Sequence, residues 1–597
     1  MRKIFCTGKR SEYLMYILIC LFLSPILFWM RETILQIEYI LPFMIIGVCG
    51  CLFAHKKVFE WQHVNLSMID ISCILWYLWL LISMCNTPEL VSDILNQTMY
   101  LGGFMFYIFF RERGSKLGIW LFLCMIIFTA LLQILFSYLL QRNNFYSVLQ
   151  FKGTFPNSAF LGEYLTIGII ALLACVFYFN QVGRRIWRYV LILVLLIFIC
   201  ILYRVMSRAS WISLGVGVIF LFWPMIKIRV SRFMKYWWMS LFPILIIVGI
   251  LYCVYAIRPD SVNGRFLVWQ VSVNMVLEKP FVGYGFGGFR QNYMLFQKDY
   301  FDVVRNSPFS ELASDNVFAF NEFFKVLIEQ GSIGFLLVLF LLYNIFYCRY
   351  DDKYLLEVRI LRTIILAIII FGCFSYPSEV FSFHVLTVIP VAYLANVGEK
   401  KWVLSFKNCY RLALFLSCLL WLCTSVWFYK TYNFACAGWK FHVISLNFHG
   451  GEEEFSSLNE LYPELSATIE YLLFYGNQLN QAGKNEQAIL IFSQLGRCYP
   501  SSFQQIKLGE ALYANGEKGR AEIAWKNAIK MVPMLIRPYY LLSKLYGDQE
   551  RYNEAVLYGK VLLNKKLKVY TPEIYYMKKE IKEVLPEWER HCLTNNE

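Results

Sequence analysis

The feature that most constrains this chain is a succession of apolar runs, each about 20 residues long, through its first 430 residues. A helix of that length crosses the hydrocarbon core of a bilayer. No water is available there, so every backbone polar group must be satisfied inside the segment, which leaves a helical bundle as the fold. Spans are predicted near 12–30, 37–54, 69–85, 97–110, 117–140, 159–180, 187–205, 209–226, 237–257, 332–348, 360–376, 380–397 and 410–428, about thirteen in all. The first run has no small-residue cleavage site before Arg31, so it reads as a retained helix, not a signal peptide. Composition agrees: 58% of the 597 residues are hydrophobic and only 16% charged, more apolar than soluble domains.

The net charge of +15 could suggest nucleic acid, but the basic residues sit in short clusters between apolar runs. Arg2, Lys3, Lys9 and Arg10 precede the first span, and His55, Lys56 and Lys57 follow the second. Arg111, Arg113 and Lys116 follow the fourth, Arg184, Arg185 and Arg188 the sixth, and Lys227, Arg229, Arg232 and Lys235 the eighth. Arg349, Lys353, Arg359 and Arg362 follow the tenth; Lys400, Lys401, Lys407 and Arg411 follow the twelfth. Every even span thus ends in a basic loop, which puts the N-terminus in the cytoplasm and the C-terminus outside. Three segments then face outward: 141–158, a long loop at 258–331, and everything after about 429.

The eighteen cysteines fall mostly within apolar runs, where a thiol behaves as a small hydrophobe, and the six histidines are scattered. No Cys/His spacing suggests a metal site or a cofactor.

After a linker at 431–467, a repeat of 33 to 34 residues occupies 468–597. Ala488, Ala521 and Ala555 mark it, with Gly483 and Gly516, Phe492 and Trp525, and Pro500 and Pro533. These positions resemble the tetratricopeptide pattern of paired helices. The third copy departs from it, with Gly559 in place of the aromatic and no closing proline, and a helix near 572–584 would cap the array. Such a domain either stabilises and docks a protein partner or presents an acceptor to the membrane half. The fold class is therefore all-α: a polytopic bundle over 1–430 with a long outer loop, and a C-terminal helical-repeat domain.

The outer segments carry distinctive residues. The first reads Phe151-Lys152-Gly153-Thr154-Phe155-Pro156-Asn157, and the seventh span ends at Ser207-Arg208-Ala209-Ser210-Trp211. The long loop opens on Gly264-Arg265-Phe266 and continues through Trp269 to Lys279-Pro280-Phe281-Val282-Gly283-Tyr284-Gly285-Phe286-Gly287. It closes on Asn321-Glu322-Phe323-Phe324 and Glu329-Gln330-Gly331. The glycines are not preceded by a strand or followed by a Gly-Lys-Ser/Thr, so they read as turns and not as a nucleotide-binding loop.

In this order and on this side, the motifs over about 140–345 resemble the O-antigen ligase/polymerase superfamily of bacterial membrane glycosyltransferases. The resemblance implies transfer of a glycan from an undecaprenyl-pyrophosphate carrier to an acceptor hydroxyl, without metal or nucleotide sugar, at the outer face of a bacterial inner membrane. The acceptor would be a lipid, a glycan or a protein. By motif, Arg208 and Arg265 match the family's functional arginines. Their chemistry fits: bond breaking puts negative charge on the leaving pyrophosphate, which fixed guanidiniums stabilise where little water competes. Arg208 read on its own could also be a side chain reaching out to the membrane surface. Arg290 is a further donor-binding candidate, and Asn157 either caps a turn or binds sugar.

Ligases of this family usually carry a histidine just before the asparagine matched by Asn321; here Phe320 occupies that position. A base for the acceptor hydroxyl must then come from elsewhere, or the arginines must suffice. Glu322 is the first substitute, with Lys325 beside it and Asn321 before it; the plainer reading is a Glu–Lys helix-surface pair. His384, near the outer start of the twelfth span, is a second, or a polar residue packed between helices. The ligase reading leads, with a polymerase or a protein O-oligosaccharyltransferase sharing the same parts. A transporter of lipid-linked glycan would place charges or broken helices at mid-membrane, and these spans carry almost none. A mere anchor for the repeats would not need so large a membrane half.

Overall fold

The computed structural model describes residues 63–85, 94–113, 118–143, 151–233, 259–304, 307–405, 410–565 and 571–594. The predicted spans 12–30, 37–54 and 237–257, and the basic residues at 2–10, 55–57, 116, 235 and 407, lie outside them. The chain divides into two compact units: 94–257 and 320–435 with the chain up to Met84, and 258–319 and 436–597 with 85–93.

The first unit is the apolar bundle. Its elements are β1 (His63–Ser67), α1 (Met68–Cys85), α2 (Ile94–Arg113), α3 (Ile119–Asn143), α4 (Ser158–Gln181), α5 (Arg185–Val205) and α6 (Arg208–Phe233). After the second unit's α7 (Pro259–Glu278) and α8 (Gly288–Val303) come α9 (Glu322–Tyr347), α10 (Leu355–Gly372), α11 (Phe381–Val397), β2 (Lys400–Ser405) and α12 (Tyr410–Leu446). Six helices among the described residues are long and apolar enough to cross a membrane: α1, α4, α5, α9 and most of α3 and α6; α11 is apolar but shorter.

The bundle is built around α4, which packs against α3, α5, α6 and α10. Glycine permits the closest approaches: a Cβ on Gly168 would sit 2.7 Å from the Phe198 ring, and one on Gly162 3.0 Å from Ser207 and Ser210. In contrast, α5 turns Ile186, Val190, Leu193 and Leu196 outward, as a helix facing lipid does.

Two details depart from the sequence reading. The first is a short antiparallel pairing of β1 with β2, His63 opposite Ser405, in an otherwise helical chain. It lies beside a buried ion pair, in which Asp70 accepts from Arg111 at 2.9 Å, from Tyr107 at 2.6 Å and from Ser67. The second is α9, which begins ten residues before the predicted span and kinks at Gly331, where φ is 66° and ψ −170°. Only glycine occupies that region readily. Carbonyls around the kink are satisfied by α1: Trp79 Nε1 donates to the Gln330 carbonyl at 3.0 Å and Ser83 Oγ to that of Glu329 at 3.2 Å, while Trp76 Nε1 holds the Gln330 side chain. The predicted 332–348 span is the part after the kink.

Basic residues gather at one end of this unit. Arg362 donates to the Ile345 and Cys348 carbonyls, Asn396 bonds the Arg111 carbonyl, and Glu399 N–H donates to the Arg349 carbonyl.

The second unit holds α7, α8 and the helices after α12: α13 (Glu452–Glu460), α14 (Tyr462–Leu465), α15 (Ile469–Gln481), α16 (Asn485–Cys498), α17 (Ser502–Ala514), α18 (Lys518–Met531), α19 (Arg537–Asp548), α20 (Tyr552–Asn564) and α21 (Pro572–Thr594). The segment expected as a linker, 431–467, is helical over most of its length. From α15 to α20 the helices pack as three successive pairs. Each pair turns through one left-handed residue, Gly483, Gly516 and Glu550, spaced as the sequence repeat is. The aromatic of the repeat fills the space over a small residue, with Phe492 against Gly476 and Trp525 against Gly509. In the third pair Ser543 and Gly559 leave that space open, and Ile581 and Leu585 of α21 fill it. The departure at Gly559 is thus the seat of the terminal helix.

Candidate functional site

At the end of the first unit away from the basic residues, the starts of α4, α6, α9 and α11 meet the turn between α10 and α11. Two asparagines shape it as helix caps. Asn157 accepts from Ala159 and Phe160 N–H and donates from Nδ2 to the Tyr376 hydroxyl at 3.1 Å. Asn321 accepts from Phe323 and Phe324 N–H and donates to the Cys373 carbonyl at 3.2 Å. Both therefore use oxygen and nitrogen on the protein itself, which is why Asn is favoured at such positions.

Arg208 opens α6. The turn before it has Met206 in the left-handed region (φ 53°), and it is held on α4 by Thr166 Oγ1 donating to the Ser210 carbonyl at 3.1 Å and by Ser210 Oγ donating to that of Ala159. Gly162 makes room for this turn. The guanidinium is half-buried at a helix start, where the backbone leaves N–H groups without intrahelical partners.

The polar centre of the site lies around Ser378. Glu322 accepts from Ser378 N–H at 2.8 Å and from its hydroxyl at 2.7 Å. Lys325 donates to Ser378 Oγ at 3.2 Å and pairs with Glu379, both side chains nearly buried. His384 Nε2 lies 2.7 Å from the Ser378 carbonyl, and a carbonyl only accepts, so Nε2 carries the hydrogen. The His384 ring meets Tyr100 edge-on at 5.1 Å. The centre thus places one ammonium, that of Lys325, among the carboxyl groups of Glu322 and Glu379. Gly372 fits closely beside it, where a Cβ would lie 3.1 Å from Glu322 Cγ.

Phe320 stands where the family's histidine is expected, and its backbone is left-handed (φ 51°). For a bulky aromatic that conformation is strained. Its ring packs edge-on against Tyr376, which also meets Phe160. The position thus contributes packing and no titratable group.

The structure therefore brings Asn157, Asn321, Glu322, Lys325 and His384 into one network with Tyr376, Ser378 and Glu379, and sets Arg208 on the turn bonded to the start of α4. The sequence reading missed Tyr376, Ser378, Glu379 and Tyr100. A signal was present: Ser375-Tyr376-Pro377-Ser378-Glu379 is a short polar turn between two apolar runs on the expected outer side.

Arg265 and Arg290 belong to the second unit. Arg265 lies on α7, followed by Trp269, whose indole donates to the Ala319 carbonyl at 3.2 Å. The turn from α7 to α8 uses three left-handed glycines, Gly283, Gly285 and Gly287, and α8 packs back against α7. Arg290 lies near the phenol of Tyr499. Burial and the charge of Asp315 push that phenol up from its ordinary value, and Arg290 offsets part of the rise.

Comparison with known proteins bears on part of this segment. A family model described as O-antigen ligase matches residues 192–339, from α5 into α9. The matched segment contains Arg208, Arg265, Arg290, Asn321, Glu322 and Lys325; Asn157 and His384 lie outside it. No curated protein matches the chain. The apolar helices and the match over 192–339 together support a membrane enzyme of the O-antigen ligase/polymerase type.

Proposed function

We propose that the chain is an O-antigen-ligase-like glycosyltransferase, moving a glycan from an undecaprenyl-pyrophosphate carrier to an acceptor hydroxyl at the outer face of a bacterial inner membrane. The observation that carries the reading is the gathering of Arg208, Glu322 and Lys325 at one end of an apolar bundle, within the matched segment. The opposite end collects the basic loop residues, which fits an outer site under the positive-inside rule.

The charges suggest a division of labour. A centre with more carboxyl groups than ammonium groups suits a neutral hydroxyl better than a pyrophosphate. The acceptor is therefore assigned to the Glu322 centre and the pyrophosphate to arginine, Arg208 in the first unit; Arg265, in the second, carries the same donor-binding expectation from its motif. In the transfer, the acceptor oxygen bonds the anomeric carbon as the bond from that carbon to the phosphate oxygen breaks. The electron pair stays with the lipid pyrophosphate, where arginine stabilises it. The acceptor proton passes to Glu322, whose orientation is set by Ser378 and whose neighbour Lys325 is fixed by Glu379. The C-terminal helix pairs are assigned to the tetratricopeptide type.

The test is a deletion strain complemented with the wild-type gene, Arg208→Ala or Arg265→Ala, with surface glycans, glycoproteins and undecaprenyl-linked glycan profiled. Full-length lipid-linked glycan should accumulate in the deletion and in both variants, and the species that disappears identifies the acceptor. Unchanged glycan pools in the deletion strain would refute the reading.

A further inference from the structure

The helix pairs of the second unit hold a segment of their own chain. Helix α8 packs on α16 and α18, and its polar side chains reach backbone groups that those helices leave unsatisfied. Gln297 is fully buried; its Nε2 donates to the Met531 carbonyl at 2.8 Å and the Ser314 carbonyl at 3.3 Å, and its Oε1 accepts from Tyr293 at 2.7 Å. Gln291 Nε2 donates to the Arg497 carbonyl at 3.2 Å. Met531 ends α18 and Arg497 lies in the last turn of α16, where carbonyls have no intrahelical donor. The two acceptors thus belong to successive pairs. Six residues of helix separate the two glutamines, a rise of about 9 Å.

The segment after α8 is anchored as well. The Asp315 carboxylate accepts from Ser502 N–H at 2.9 Å, Ser502 Oγ at 2.8 Å and Phe503 N–H at 3.3 Å, and so caps α17 from outside the helix. Asp302 pairs with Lys530 at 3.0 Å. A carboxylate at a helix start is favoured by the N–H groups and by the helix dipole. Helix pairs of this kind ordinarily suggest a surface for an external partner; here the ends of α16, α17 and α18 are engaged by residues 291–315 of the same chain.

We infer that the helix pairs act in cis, as the seat of the loop that carries Arg265 and Arg290, with Gln297 and Asp315 as positioning residues for glycan transfer. The inference rests on the proposed glycosyltransferase reading. Helices α7 and α8 and the helix pairs belong to one compact unit, so a change at Gln297 alters how firmly the arginines are held without removing either one. Weaker positioning of an arginine that binds the donor and stabilises the leaving pyrophosphate lowers kcat/KM for the donor.

The experiment uses the full-length protein in membranes, with lipid-linked glycan extracted from the deletion strain as donor. Gln297→Leu, Asp315→Ala and Arg265→Ala are compared with wild type, alongside the conservative Asp315→Asn. Hydrogen exchange over 259–304 is read in parallel. The expected result is faster exchange in Gln297→Leu and Asp315→Ala, with kcat/KM for the donor lowered about tenfold, the scale of one lost buried hydrogen bond. Asp315→Asn, which keeps one acceptor oxygen, should fall between. If Arg265→Ala abolishes transfer while Gln297→Leu and Asp315→Ala leave kcat/KM and exchange at wild-type values, the seat has no positioning role. Faster exchange with an unchanged kcat/KM overturns it equally. Transfer unaffected by Arg265→Ala instead counts against the glycosyltransferase roles, and the exchange data then judge the seat alone.

Discussion

Replacing Glu322 by Gln separates a base from a structural carboxylate. The substitution preserves volume and leaves one oxygen to accept from Ser378 N–H. The second contact, now 2.7 Å from the Ser378 hydroxyl, becomes an amide facing an oxygen that already receives Lys325. One charge-assisted hydrogen bond is lost, worth about 1.5–3 kcal/mol. Because Asn321, Glu379 and His384 still hold the turn, the expected fall in stability is about 1–2 kcal/mol, which leaves the protein folded and inserted. A purely structural role therefore predicts modest loss of transfer. Loss of a general base predicts a fall of about 10²–10⁴, equivalent to about 3–5 kcal/mol of barrier at 1.36 kcal/mol per tenfold. The assay is initial transfer rate per mole of protein in membranes, with lipid-linked glycan from the deletion strain as donor. Glu322→Asp serves as the variant that keeps a carboxylate. A Glu322→Gln rate within about threefold of wild type, less than one displaced hydrogen bond is worth, refutes the assignment of the acceptor proton to Glu322.

Three further outcomes follow from the packing. Asp70→Ala strands a buried guanidinium and the Tyr107 hydroxyl, so thermal unfolding in detergent should show a loss of about 3–5 kcal/mol, with Asp70→Asn milder. Gly168→Leu drives a side chain into the Phe198 ring, 2.7 Å from the new Cβ, and should cost at least about 1–3 kcal/mol; Gly215→Leu, with nothing within 4 Å of its Cβ, is the control and should stay within about 0.5 kcal/mol. Glu522 accepts from Lys526, Tyr546 and Arg551. Burial raises its pKa, but these partners outweigh it and hold the carboxyl below its ordinary 4.5. Its stabilisation is therefore complete above that value and lost as pH falls through the lower folded one. Acid titration of the second unit's unfolding should show this dependence in wild type and a shallower one in Glu522→Gln.

Local pattern alone determined much of this protein. Long apolar runs have few ways to satisfy their backbone, so α1, α3, α4, α5 and α6 begin and end close to where hydropathy puts them. The repeat period is equally local: a turn that needs a left-handed residue recurs at Gly483, Gly516 and Glu550 because each helix pair reverses in the same way. That Asn157, Arg208 and Glu322 share one end of the bundle was legible too, since the alternating basic loops fall at the other ends of their helices.

Tertiary structure decided what depends on groups far apart in the chain. Helix α9 extends back to Glu322 through the kink at Gly331 because Trp76, Trp79 and Ser83 bond to Glu329 and Gln330 there. The environment of Glu322 is set by Ser378, which lies 56 residues away. Gln297 and Asp315 read as ordinary loop residues until the ends of α17 and α18, about 200 residues later, present the unsatisfied backbone groups they engage. Hydropathy and repeat spacing record what a segment requires of its surroundings; which distant residue meets the requirement is decided only when the helices pack.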